Sequence, residues 1–521
     1  QDFTIKVLVP KIRQVVKKYG IRYDPETPVP DDDQLADNVF QAGLALCEEV
    51  GCYCKDTSRV IRFSREEILE ALRDAPVSPT FGEGRDRKAM VARRPESADP
   101  PYCYLGSGGG VVSSEEVFVR LVEGYGRNPL TDSVTCPTLT KINGMDVVAG
   151  SPLELLACIR SVELGRAALR RAQRPGLPIM NSIATAVTAA GKITGSAFGL
   201  RDTDCWVIGF TSPLKVQFER LNEVVYVLAR GGQHIGECGE IVGGYAGGPE
   251  GVAVIVVAYH ILSILVLRAS VHLTFPMDFR YGCNTSWELQ WPTTVSTQAI
   301  SRNSHHPVMN LTYTAAGPMT EMCLYEIAAG QIARVASGGH IEYGGTSKAV
   351  KADYLTPMEP RFASQVGHAS AGLSRAAANE LVKALIPKYK DQLADPPKGL
   401  RFQECYDWDS IEPNQEYLDL YGHIKDELAE IRKRQPNQQI AEMALIEVKI
   451  DEKAPTGEYE VRLGTRQGLT NPMVFQIGTL PEIREVESND PGAYEFLPPE
   501  PPLKLPMLIN GQVMPGDVDR F

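Results

Sequence analysis

Few of the signatures that announce a chemistry occur in this chain of 521 residues. Its eleven cysteines run from Cys47 to Cys405 without a CxxC pair. Cys47, Cys52 and Cys54 lie close together, but their spacing suits neither a zinc knuckle nor a redox motif. The eight histidines contain no HExxH, and only His305 and His306 adjoin, so spacing offers no metal set. A GxSxG elbow and a kinase signature are missing too. Positive charge is in deficit: 53 Lys and Arg stand against 65 Asp and Glu, a net charge of -12. An acidic surface repels phosphate backbones, which excludes nucleic acid as an expected partner. The densest basic stretch, Arg166, Arg170, Arg171 and Arg174, has the spacing of a solvated helix face. Long apolar runs are short of bilayer length. Val252 to Leu267 is nearly continuous but falls below the roughly 20 residues a span needs and contains His260. It predicts a buried helix and no membrane partner. The opening Gln1-Asp2-Phe3 carries no signal-peptide pattern, and unpaired thiols predict a reducing, cytoplasmic setting.

What is present describes a folded chain: 43% hydrophobic and 23% charged residues exclude a disordered or collagen-like one. Residues 1–101 read as a helical layer, with apolar periodicity over Lys11–Lys18, Asp33–Cys47 and Ser64–Arg73. Ser64 and Glu67 form a capping-box pattern. From residue 102 to 345 short apolar runs alternate with helical stretches. The eight predicted strands are Tyr102–Leu105, Val134–Pro137, Ile179–Asn181, Trp206–Phe210, His234–Cys238, His272–Pro276, Val308–Thr312 and Ile341–Tyr343. Eight alternating units of this size predict an α/β fold, a (β/α)8 TIM-type barrel, with an open doubly wound sheet as the alternative. Residues 346–434 are helical again and pack on the barrel. Residues 435–521 lack cysteine and carry 14 acidic against 7 basic residues. Alternation in Ile446–Ile450, Glu458–Leu463 and Met473–Ile477 predicts a β-rich, sandwich-like extension there, followed by a proline-rich stretch and a close that suggests a module cut short.

A barrel places its chemistry at the C-terminal ends of its strands. The residues there are Met180 and Asn181, Phe210 and Thr211, Glu237, Asp278 and Arg280, Asn310 and Leu311, with Glu321 just beyond. Glu237 lies in an apolar strand end, where an unpaired carboxylate is costly, so it is either functional or part of an ion pair. The cluster Gly106-Ser107-Gly108-Gly109-Gly110 matches neither phosphate-loop fingerprint and reads as a tight turn. Gly243-Gly244-Tyr245-Ala246-Gly247-Gly248 permits close backbone approach. His260 and His272 read as satisfied core residues.

Five segments carry a family resemblance. They are Phe40-Gln41-Ala42-Gly43, Cys52-Tyr53-Cys54-Lys55-Asp56-Thr57, the 243–248 glycine run, Ala316-Gly317-Pro318-Met319-Thr320-Glu321-Met322-Cys323, and Phe402-Gln403-Glu404-Cys405-Tyr406-Asp407. In this order, over residues 10–434, the chain resembles the corrinoid-dependent monomethylamine methyltransferases of methanogenic archaea. The resemblance implies a (β/α)8 barrel in a homohexamer. It implies methyl transfer from a small methylated amine to the cobalt of a separate corrinoid protein, with no cofactor or metal bound by this chain. That family uses pyrrolysine to hold the amine, and acidic and amide side chains to manage protons.

The pattern departs where Met180 stands in the pyrrolysine position. One family carboxylate maps onto Glu237, another onto Leu214, and the pocket amide onto Leu311. Replacement of polar groups by apolar ones implies a pocket rebuilt for another donor. A quaternary ammonium or sulfonium methyl needs no covalent activation. Such a cation is recognised by aromatics, and Trp206, Phe210, Tyr245 and Tyr313 are candidates, with Glu237 as counter-charge. On this reading Glu237, Met180 and Glu321 are catalytic, and Asn310, Leu311, Tyr313, Phe210, Tyr245 and Leu214 bind substrate. The alternative is a non-catalytic scaffold that keeps only its corrinoid-protein and subunit contacts. An unrelated lyase is disfavoured, since no strand-end lysine suits a Schiff base. The tail resembles an immunoglobulin-like module followed by the opening of a pre-peptidase C-terminal type domain.

Overall fold

The architecture follows from eight short apolar strands that no helix-free arrangement could cover. The computed structural model describes residues 2–181, 185 and 188–433, together with six short strands between residues 457 and 510. The chain forms two compact units, Gln1–Glu442 and Met443–Phe521.

In the first unit the strands are β1 (Cys103–Gly106), β2 (Ser133–Thr135), β3 (Ile179–Asn181), β4 (Cys205–Gly209), β5 (Gln233–Cys238), β6 (Val271–Thr274), β7 (Val308–Thr314) and β8 (His340–Thr346). They form one parallel sheet in the order β3-β2-β1-β8-β7-β6-β5-β4. The outermost strands, β3 and β4, lie side by side, which makes the sheet a nearly closed barrel rather than an open doubly wound one. Its interior is filled by Tyr102, Tyr104, Met180, Cys205, Val207, Ile235, Val271, Leu273 and Met309, with Leu311 packed on them. This is a plugged barrel, as the layered packing of such folds requires.

The N-terminal layer consists of α1 (Val9–Lys18), α2 (Asp33–Val50) and α3 (Arg65–Asp74). The predicted capping box is formed: Ser64 Oγ accepts from the Glu67 N–H at 3.2 Å, and the Ser64 N–H donates to Glu67 Oε2 at 2.7 Å. The crossover helices are α4 (Glu115–Arg127), α5 (Pro152–Arg171), α6 (Ala189–Ala197), α7 (Phe218–Ala229), α8 (Pro249–Leu262), α9 (Trp287–Asn303), α10 (Glu321–Ala336) and α11 (Met358–Ala369). Beyond them α12 (Arg375–Leu385) and α13 (Gln415–Lys433) pack on α10. Arg375 ties these outer layers together, reaching Asp31 at 2.7 Å, Asp33 at 2.8 Å and Glu96 at 3.4 Å.

Pro249–Leu267 is long and apolar enough to cross a membrane by composition, yet every residue from Gly251 to Leu262 is buried inside the protein. It is held between α2 and α9. The arginine stretch is not the solvated face its spacing suggests. Arg166 pairs with Asp204, Arg171 with Glu123 at 2.9 Å, and Arg174 with Asp86. The carboxylates come from distant parts of the chain, so spacing along the helix could not reveal them.

Gly317, in one of the family-like segments, is fixed by a close crossing of two loops. Its N–H donates to the Pro397 carbonyl at 2.9 Å, and a Cβ there would overlap the carbonyl oxygen of Lys398. Gly317→Ala is therefore expected to destabilise the protein by about 3 kcal/mol, the upper range for overpacking a rigid backbone contact. A denaturant titration checks this, and an unchanged midpoint refutes it.

In the second unit Gly457–Val461 pairs antiparallel with Met473–Ile477, in accord with the alternation there. The strand expected at Ile446–Ile450 and the proline-rich stretch lie outside the described residues.

Candidate functional site

Parallel pairing decides which side chains share the barrel lumen. Gly209 of β4, Glu237 of β5 and Leu273 of β6 stand in register. On the opposite wall Leu311 of β7 is beside Glu342 of β8, and Glu342 beside Tyr104 of β1. Because Leu273, Leu311 and Tyr104 belong to the interior cluster, Glu237 and Glu342 face the lumen as well.

Glu237 lies at the C-terminal end of β5 and is partly buried. Its neighbour Gly209 leaves room for it: a Cβ there would lie 3.5 Å from Glu237 Oε2. Among the described residues, no hydrogen bond or ion pair reaches this carboxylate. Burial pushes its pKa up, and the charges of Lys192 and Arg220 draw it partly back. Lys192 is otherwise engaged, by the Val207 carbonyl at 3.2 Å and Glu223 at 3.4 Å. Of the two readings, ion pair or function, the geometry shows no ion pair to this carboxylate among the described residues.

Met180 is fully buried at the floor, within the interior cluster. Leu311 packs on the same cluster and against Gly344, where a Cβ would approach its Cδ1 to 2.6 Å. Tyr313 stands two residues beyond Leu311, partly buried, with its N–H held by Asn284 Oδ1 at 2.8 Å. Burial raises its phenol pKa.

Other candidates are placed elsewhere. Asn310 has the opposite strand parity and points to α9, where its Nδ2 donates to Thr297 Oγ1 at 3.0 Å. Leu214 is buried in the turn after the cis Ser212–Pro213 peptide. There its N–H donates to the Tyr259 hydroxyl at 2.9 Å and its carbonyl accepts from the Tyr53 N–H at 3.0 Å. Phe210 packs on Tyr259 of α8 at 5.4 Å, and Tyr245 accepts from Ser212 Oγ at 2.8 Å in the same group. Trp206 packs on Tyr226 of α7 at 5.3 Å. Three of the aromatics considered for a cation cage, Trp206, Phe210 and Tyr245, thus lie on the helix side of β4 and β5, since Trp206 and Phe210 alternate with the inward Val207 and Gly209. Glu321 is exposed in the first turn of α10. It acts on Tyr325 one turn on, which donates to Glu427 of α13.

Spacing also concealed several groups. Glu342 is 5% exposed, and its Oε2 has no partner. Burial and the charge of Glu237 push its carboxyl well up. The one available signal was a glutamate alternating with Ile341 and Tyr343 in an otherwise apolar strand. His260, His272 and His306 come together with ring centroids 5.3 and 5.4 Å apart. Burial drives all three pKa values down. Glu240 accepts from Cys238 Sγ at 3.0 Å on the helix side of β5, and burial raises it to about 8. Glu326 accepts the N–H groups of Ala315 at 2.7 Å and Ala316 at 2.9 Å, fixing the loop after β7. Among the described residues, no set of three His, Cys, Asp or Glu is placed to hold a metal ion.

The glycine cluster after β1 is filled by the protein itself. Ser107 Oγ donates to the Gly344 carbonyl at 2.8 Å, and a Cβ at Gly110 would strike Leu355, which fits a tight turn.

Residues 1–432 match the family model described as "Monomethylamine methyltransferase MtmB". Monomethylamine methyltransferase MtmB of Methanosarcina mazei is 31% identical over 432 residues, covering 82% of this chain and 94% of the relative. MtmB2 of Methanosarcina acetivorans gives the same identity and coverage. The crystal structure of the Methanosarcina barkeri monomethylamine methyltransferase superposes with a TM-score of 0.80 at 29% identity, over 82% of this chain and 94% of that one. A hydroxylamine complex of MtmB matches equally.

Proposed function

Since the chain belongs to the monomethylamine methyltransferase family, we propose that its barrel mouth binds a small methylated amine and presents the methyl group to a corrinoid protein. The observation that carries this reading is Glu237: a carboxylate at a strand end, partly open, raised by burial and held by no ion pair among the described residues. Such a group supplies the counter-charge for an ammonium nitrogen, or holds its proton in place. The nitrogen then departs as a neutral amine, taking the C–N electron pair, while the methyl group leaves toward the mouth. A cobalt corrinoid on a docked partner supplies the acceptor for that methyl group. Met180 offers no electrophile, so on this reading the amine is held without a covalent bond. Quaternary ammonium and sulfonium donors share the neutral leaving group and belong to the panel to be tested.

The loops at the C-terminal ends of β2, β6 and β8 expose Met145, Val148, Phe279 and Val350. This apolar surface supports partner docking over the mouth. Exposed Phe198, Val225 and Leu228 on α6 and α7 support contact between copies, as a hexamer needs. Eleven unpaired, buried cysteines support a reducing cytoplasm.

The test is incubation of the protein with a reduced corrinoid protein and a panel of methylamines, betaines and methyl sulfides, followed by corrinoid absorbance. Turnover of a methylated amine is expected. Retained corrinoid-protein binding with no turnover of any donor would instead establish the scaffold reading, which the apolar Met180 and Leu311 in the lumen favour.

A further inference from the structure

Across the lumen from Glu237 the barrel wall carries four buried polar atoms that make no well-formed hydrogen bond among the described residues. They are Glu342 Oε2, the Tyr104 hydroxyl, Thr135 Oγ1 and Ser133 Oγ, although the Ser133 hydroxyl lies near that of Tyr102. They come from three consecutive strands, with Glu342 in register with Tyr104, and Tyr104 with Ser133. The Tyr104 hydroxyl lies near that of Thr135 and senses both Glu342 and Glu237, yet no hydrogen bond of good geometry forms. A single buried polar atom left unpaired costs about 1–3 kcal/mol, and native interiors rarely keep several together. Among the described residues no Lys or Arg makes an ion pair with either carboxylate, though the charges of Lys192 and Arg220 act on Glu237. The wall has acceptors and negative charge to offer, and what it lacks is a charged donor. Around it Met180, Leu273 and Leu311 supply apolar surface, which suits alkyl groups rather than water.

We propose that Glu342, with Tyr104 and Thr135, forms a nitrogen subsite that selects protonated amines still carrying an N–H over fully quaternary ammonium and sulfonium cations. The inference rests on the mouth being an amine site and names the substrate class. A quaternary cation satisfies Coulomb attraction but leaves every acceptor unpaired. An ammonium N–H restores one charge-assisted hydrogen bond and points its methyl groups at the apolar side. The groups facing Glu342 are Tyr104 on β1 and Glu237 on β5, while β7 offers only Leu311. Burial and the charge of Glu237 raise the Glu342 pKa in the free protein, and an ammonium beside it draws it down again, so binding is linked to proton release.

The experiment is calorimetry on the full chain at pH 7 in two buffers of different ionisation enthalpy. Trimethylammonium and tetramethylammonium are the probes, since they differ by one N–H. The wild type is expected to bind trimethylammonium at least about tenfold more tightly, as one hydrogen bond to a charged group implies. It is also expected to release protons on binding. Glu342→Gln is expected to abolish both the preference and the release, and Tyr104→Phe to weaken the preference about threefold. If Glu342→Gln does not fold, Tyr104→Phe carries the test. Equal or tighter binding of tetramethylammonium, or a preference unchanged in these variants, overturns the subsite. Methyl transfer from an amine that persists in Glu342→Gln overturns the subsite and leaves the proposed function standing. No binding of either cation together with no methyl transfer overturns both.

Discussion

Glu237→Gln is expected to lower methyl transfer from the accepted amine by about 10²–10⁴-fold, the usual contribution of one positioned acid–base group. The amide keeps the shape of the side chain but removes its charge and its proton. Because no ion pair or hydrogen bond among the described residues holds the carboxylate, the substitution breaks no internal contact, and the melting temperature is expected to hold. The pH profile separates chemistry from packing. Burial raises the Glu237 pKa, so a reaction that needs the carboxylate gains rate as pH rises through that value. The acid limb of the profile is expected to flatten in the variant. Wild-type rates in Glu237→Gln would remove this residue from the reaction.

Acid is expected to unfold the protein abruptly below about pH 4.5, and the buried histidines are the cause. Burial lowers His234 to about 4, His272, His306 and His340 to about 3, and His260 well below its usual value. Each stays neutral when folded and takes a proton when unfolded below about pH 6.5. Stability is therefore lost as pH falls from 6.5 toward 3. Between pH 4.5 and 7 an opposite effect offsets this loss. Glu326 and Glu359, raised to about 7, and Glu240, raised to about 8, keep protons that the unfolded chain gives up. Below about pH 4.5 unfolded carboxyls are protonated as well, and the histidine term is joined by carboxylates held low in the folded protein, among them Asp37 and Glu427. Five protons at roughly 1.4 kcal/mol per pH unit each amount to about 7 kcal/mol per unit, comparable with a whole protein's stability. Thermal melts across pH 3–7 check this: a near-plateau from about 5 to 6.5 and then collapse is expected. A melting temperature sustained at pH 3.5 would show that these rings are not held neutral.

Local patterns made much of the fold legible. The apolar runs placed all eight barrel strands to within a few residues, because a fully buried parallel strand is written as a short continuous apolar segment. Ser64 and Glu67 announced their cap correctly, since capping involves residues three apart. α7 starts at Phe218, later than its apolar pattern suggests. Leu214 to Gln217 continue an apolar pattern, but the cis Ser212–Pro213 turn and a short pairing of Lys215 and Val216 with Tyr53 and Cys54 precede the helix.

The candidate site was legible only in part. Glu237 could be singled out because a charge in an apolar strand is visible without knowing its surroundings. Asn310, Phe210 and Trp206 could not be placed, because a strand shows its neighbours to opposite faces and only closure of the sheet decides which face becomes lumen. Glu342 went unnoticed for the same reason. It differs from an outward glutamate by where β1, β7 and β8 meet, and nothing in His340-Ile341-Glu342-Tyr343 records that.

By itself, then, the amino-acid sequence determined the family, the eightfold alternation and the buried character of α8, all of which depend on residues near one another along the chain. The tertiary structure alone decided that Glu237 and Glu342 face one lumen from opposite walls, close enough for the charge of one to act on the other. It alone gathered His260, His272 and His306, and it matched Arg166, Arg171 and Arg174 to Asp204, Glu123 and Asp86. Those pairings join residues tens to hundreds of positions apart. Whether a buried charge is compensated there depends on the three-dimensional approach of side chains, which periodicity does not encode.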